Sequence, residues 1–233
     1  MGQAGPKARA EARATKQKPS APMKQKPNRA RVDRAPSGIA PMPLILTAGP
    51  SAEPISLAEA KAHCRVDGPA EDTLIASLVL AARLHIERCL DVALISQSWS
   101  LYLDQWPDGK HVELPLAPLL SVDAVRLYGT TGSSMTLDPA LFDVDAFSRR
   151  PRLCRREGQS WPLPGRGVNG IEIAFTAGYG PAPDDVPMPL RLAIKLLVAH
   201  WHEAREPVLL GETADPVPAS IASLLGPYQT VRL

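Results

Sequence analysis

Apolar side chains recur at three- and four-residue spacing in three stretches of the chain, and each stretch predicts a helix. The strongest covers about 71–91. Ile75, Leu78, Val79, Ala82, Ile86, Cys89 and Leu90 form one stripe, with Arg83, Glu87 and Arg88 off it. Placed on that stripe, Cys89 reads as a small buried hydrophobe rather than a reactive thiol. Upstream, Ser56 with Glu59 three residues later is a capping box, and it predicts a helix over 56–66 that Asp67-Gly68-Pro69 ends. The third pattern, 188–205, opens at Pro187 and Pro189, which suit a first helical turn. There Leu190, Ala193, Ile194, Leu197, Val198 and Trp201 make a wide apolar face. Arg191, Lys195, His202 and Glu206 make a polar stripe, and Pro207 stops the helix.

Between the second and third helices the period changes. Residues 98–103, 111–114, 122–128, 142–144 and 170–176 read as short strands. Asp108-Gly109, 129–133, Asp138-Pro139 and 158–170 supply the turns. Short strands with close turns predict an antiparallel sheet. The expected class is α+β: a small bundle of about three helices with a β-rich insertion over about 96–177, together forming a domain over 44–206.

Composition changes the picture mainly at the two ends. Residues 1–40 hold ten Lys or Arg and two acids, a net +8, while the remaining 193 residues carry 16 bases and 22 acids, a net −6. Residues 1–43 lack large apolar side chains, so the expectation is a disordered basic tail. Two readings stand for it: a solvated extension, or an arm for nucleic acid or an acidic protein surface. Residues 207–233 differ. They scatter Val208, Leu209, Leu210, Ile221, Leu224, Leu225, Tyr228 and Val231 among Pro and Gly. That is too apolar for a solvated tail and too broken for a long helix. The expectation is an extended arm that buries its side chains on a neighbour, with folding back onto its own helices as the alternative.

Candidate chemistry is sparse. Cys64, Cys89 and Cys154 are widely spaced, which excludes a disulfide scaffold or zinc ribbon and fits a reducing compartment. No secretory signal or membrane-length apolar run is visible. Gly165-Arg166-Gly167-Val168-Asn169-Gly170 has dinucleotide spacing, yet a strand follows it where a helix is required, so it reads as a loop. His200 and His202 are two apart and diverge on a helix, unlike a zincin pair. Asp143 and Asp145 share a strand face without a partner base. Arg149, Arg150, Arg152, Arg155 and Arg156 form the one basic cluster of the body, either a phosphate or protein contact or a solvated hairpin. No catalytic grouping emerges, and no metal or cofactor is expected.

Several segments nevertheless follow one another in a set order. Ile55-Ser56-Leu57-Ala58-Glu59-Ala60-Lys61 comes first, with Arg65-Val66-Asp67. Glu71-Asp72 opens a helix ending in Glu87-Arg88, then come Gln97-Ser98-Trp99, Leu-Pro-Leu-Ala-Pro at 114–118 and Val125-Arg126-Leu127-Tyr128. Trp161-Pro162, Phe175-Thr176-Ala177-Gly178-Tyr179-Gly180 and His200-Trp201-His202-Glu203-Ala204-Arg205-Glu206 complete the series. In this order the chain resembles the head–tail connector (adaptor, or head-completion) proteins of long-tailed phages and gene transfer agents, over about residues 53–230. The tail at 1–43 lies outside the resemblance.

The resemblance implies a structural, non-enzymatic protein of the virion head–tail interface, held in the bacterial cytoplasm before assembly. It implies a homo-oligomeric ring, twelve-fold by similarity, that forms on the portal protein after DNA packaging. The ring receives a stopper or tail-terminator protein, and DNA passes through without sequence readout. By similarity, residues 207–233 dock on the portal, through Leu209, Leu210, Ile221, Leu224, Leu225, Tyr228 and Val231. Arg149, Arg150, Arg152, Arg155, Arg156, His202 and Glu206 are candidate subunit or partner contacts. The alternative function is nucleic-acid binding through the basic tail and the cluster at 149–156.

Overall fold

The capping box forms as expected. Ser56 Oγ accepts from the Glu59 amide at 3.1 Å while Glu59 Oε2 accepts from the Ser56 amide at 2.9 Å, and helix α1 (Leu57–Cys64) follows. Arg65 closes α1 in the left-handed region. In a computed structural model of the protein, residues 43–203 and 218–229 are described. They hold four α-helices and eight strands, so the class is α+β. Helices α2 (Asp72–Leu90) and α3 (Met188–Glu203) are the two long ones, and α4 (Ala219–Leu225) is a single short helix near the C-terminus. Ile75, Val79, Ala82, Ile86 and Leu90 of α2 meet Leu190, Ala193, Ile194, Leu197 and Val198 of α3 in one core. At roughly 1.5–3 kcal/mol for each large side chain taken out of water, this contact is the main stabiliser of the helical part.

The insertion between α2 and α3, joined by one strand that precedes α1, forms a pair of antiparallel sheets. The larger has the order β1-β2-β8-β4-β5: Leu44–Ala48, Gln97–Leu103, Ile171–Ala177, Leu119–Tyr128 and Ser134–Thr136. The smaller has the order β3-β7-β6: His111–Glu113, Arg152–Arg155 and Phe142–Asp145. Strand β8 lies between β2 and β4, with Ile173 opposite both Leu101 and Val125. These residues, with Val112, Phe142, Leu153 and Phe175, form a second core. The strand leaving α2 and the strand leading to α3 meet where the insertion begins and ends. The Ser96 amide donates to Gly180 O, and Gly178 sits so close that an added Cβ would lie 2.6 Å from the Ser96 nitrogen. With φ of +144°, Gly178 also holds a backbone conformation that other residues resist.

Three strands and one helix lie beyond the sequence reading. Strands β1, β5 and β7 are three to five residues long. In β7 only Leu153 points into the core, between arginines, so alternation is hard to see. The polarity of α2 needs a correction. Cys89 is exposed, whereas Arg83 is 5% exposed and lies in the interior. Over its last turns the inward face of α2 rotates toward Arg83 and Glu87. Arg83 reaches Glu53 at 2.8 Å and Glu87 at 2.7 Å. Glu87 Oε1 also accepts from the Leu94 amide at 2.9 Å and Gln97 Nε2 at 2.7 Å. A buried ion pair with its lone pairs filled thus ties α2 to the segment before α1 and to the start of β2.

Candidate assembly interface

The C-terminal residues singled out for docking fall into two groups. Ile221 and Leu225 of α4 are buried in the helical core, and Leu224 and Tyr228 pack against its edge. Leu209, Leu210 and Val231 lie outside the described residues. Four of the seven side chains therefore already have a surface, on the chain's own helices. A polar clamp accompanies them: Arg149 Nη1 donates to Gln229 O at 3.2 Å and Nη2 to Pro227 O at 3.1 Å. The β6–β7 connection thereby holds the turn after α4. Burial pushes the Tyr179 phenol up, with Tyr228 adding to the shift.

The arginine cluster is largely neutralised. Arg152 Nε meets Asp145 Oδ2 at 2.9 Å, and Arg156 Nε meets Asp143 Oδ1 at 2.8 Å. Arg150 lies 3.7 Å from Glu113, and the Arg155 guanidinium donates to Gln159 O. Asp143 and Asp145 do share a strand face, and they spend it on these arginines. The Ser148 hydroxyl and amide, then Arg152, hold the Asp145 carboxyl below its ordinary range. Solvent screens each such exposed pair, so the cluster is a solvated ladder more than a bare cationic patch.

The polar stripe of α3 faces the other helices. Arg191 Nη2 and Lys195 Nζ converge on Glu59 Oε1 at 3.1 and 2.9 Å. Arg191 also holds Asp184 at 2.6 Å. His202 Nε2 lies 2.7 Å from Glu71 Oε2, and Trp201 stands edge-on to His85 at 5.8 Å. His202 is thus engaged within the protomer, and Glu206 lies outside the described residues. Glu59 and Arg149 are the structural ties the sequence reading missed. The first was legible only as a cap. The second needed a partner 78 to 80 positions away, which no local pattern shows.

The loop at 165–170 packs on the sheet, with the Arg166 guanidinium 4.3 Å above the Tyr128 ring. Elsewhere a depression between β4 and β5 of the larger sheet and β6 of the smaller is lined by Val125, Leu137, Phe142 and the paired Asp143 and Arg156. Its two carboxylates are already engaged, Asp123 by Ser121 and Thr176 and Asp143 by Arg156. Among the described residues no helix is long and apolar enough to cross a membrane.

No protein-family model matches the chain, and no curated protein matches it. Solved structures of gene transfer agent particles contain similar chains. A chain from the neck of an empty particle, computed with C6 symmetry, is 29% identical with a TM-score of 0.71, over 82% of this chain and 97% of that one. A chain from the virion of the native particle is 30% identical with a TM-score of 0.69, over 82% and 96%. A chain from the neck of the native particle, computed with C12 symmetry, is 28% identical with a TM-score of 0.68, over 82% and 97%.

Proposed function

This chain belongs to the head–tail connector family of phages and gene transfer agents, and from that premise we propose that it is the adaptor ring docked on the portal of such a particle. It is a structural protein of the particle neck, and neck chains of this kind form rings. One observation carries the reading: nearly the whole length of each of these particle chains, two of them from necks, aligns with this one at 28–30% identity. In the proposed role the ring assembles after DNA packaging, continues the channel and presents a surface to the stopper or tail. The body's net −6 suits a passage that must not grip a polyanion. The chain waits in the bacterial cytoplasm before assembly, and its activity is assembly rather than catalysis.

Portal contact is assigned to residues 207–233. Within them Ile221 and Leu225 already belong to the helical core, so removing the whole segment would open the protomer. The cleaner test changes Leu209→Asp together with Leu210→Asp and leaves α4 in place. Wild-type chain is expected to co-sediment with portal rings from the same source, and the double variant is expected to stay at the top of the gradient. Co-sedimentation of both to the same extent would remove the arm from the portal contact.

A further inference from the structure

Helix α2 is apolar on two opposite sides. Its inner side is the core stripe. Its outer side carries Leu74, Ser77, Leu80, Ala81 and Leu84, all exposed. Leu80 and Leu84 are 43% and 52% exposed. This face spans about 15 Å, at about 1.5 Å of rise per residue. Arg83 and Glu87 turn inward to the network with Glu53 and Gln97, so no Asp, Glu, Lys or Arg breaks the outer side between Leu74 and Leu84. A helix whose outward side met only water would show the reverse, with charge outside and leucine inside. Four of the five residues of this face are apolar, and its one cation, Arg88, stands at the C-terminal end of the helix.

We propose that the outer face of α2 is a subunit interface, occupied by a second copy of this chain in the ring. The proposal rests on the ring reading above. A cyclic ring joins two different surfaces of each copy, head to tail. The chain carries a second exposed apolar patch on another helix, Met188 and Leu192 at the start of α3, 65% and 41% exposed. The pairing of α2 of one copy with this α3 patch of the next satisfies the head-to-tail requirement. It also covers the leucines of α2 and the Met188–Leu192 patch with apolar surface.

The test places a photo-crosslinking p-benzoylphenylalanine at position 80 of the full chain, in particles or on isolated portals. The expected product is a ladder of this chain crosslinked to itself, with the adduct on the peptide around Met188. A second variant, Leu80→Glu with Leu84→Glu, is expected to enter the ring at least tenfold less well. Its unfolding midpoint should be unchanged, because both side chains are exposed in the protomer. Crosslinks to another protein, crosslinks within one copy, or normal entry of the double variant into the ring would each overturn the proposal. If the chain is absent from neck and portal altogether, the neck reading fails first, and sedimentation of the free chain then decides the interface. Self-association that the double variant abolishes upholds it. Failure of the wild type to self-associate overturns it.

Discussion

At Glu59 a single carboxylate closes the first turn of α1 and receives two cations from α3. The Ser56 amide, then Lys195, draws its carboxyl from 4.5 down to about 2. A carboxyl held low in the folded state adds stability that is present above its unfolded value of 4.5 and is lost as pH falls through about 2. Glu59→Ala should therefore cost about 1–2 kcal/mol at neutral pH, mostly as a lost cap, because the side chain is a third exposed and solvent screens the charges. Urea unfolding at pH 7 and pH 3 checks this, and the gap between variant and wild type should narrow at pH 3. Glu87→Ala should cost about 3 kcal/mol, since it strips the Leu94 amide and Gln97 of their acceptor and leaves Arg83 with Glu53 alone. By contrast Arg152→Ala, in an exposed pair that solvent screens, should leave the urea midpoint nearly unchanged in the same assay. Gly178→Ala should cost about 1–3 kcal/mol, because its φ of +144° and the nearby Ser96 backbone both resist a Cβ.

Helix α4 has seven residues, too few to persist without packing. It is held by Ile221 and Leu225 on the core side and by the Arg149 clamp at its far end. Leu225→Ala should cost about 2–5 kcal/mol in a melting experiment. Arg149→Ala should instead speed amide hydrogen exchange in 221–229 and leave α2 unchanged, which separates the clamp from the core. At this scale the sequence spoke unevenly. Helices α2 and α3 were legible because their stripes run four turns or more. Periodicity located the inner stripe of α2 but assigned Cys89 to it and Arg83 and Glu87 away from it. It cannot show that a charge turns inward to meet Glu53 from another segment. Strand β7 escaped notice because Leu153 is its only fully buried residue. Helix α4 escaped because Pro216, Pro218 and Pro227 make its surroundings read as broken chain.

The whole molecule joins a helical core and a sheet core through the adjacent crossings at Ser96 and at Gly178 to Gly180. That arrangement explains how the β-rich stretch 97–177 can interrupt a helix pair without separating its members. The broad class and the family were legible in the sequence, the family from the order of many weak segments, because order and spacing record a shared framework. The surfaces used in assembly were not, since a leucine facing water and a leucine facing a neighbour look alike along a chain. The central claim, a ring component seated on a portal, is tested most directly by negative-stain electron microscopy of the full chain mixed with portal protein from the same source. An added ring of density is expected on one end of each portal. Bare portals in the presence of excess folded chain would contradict it.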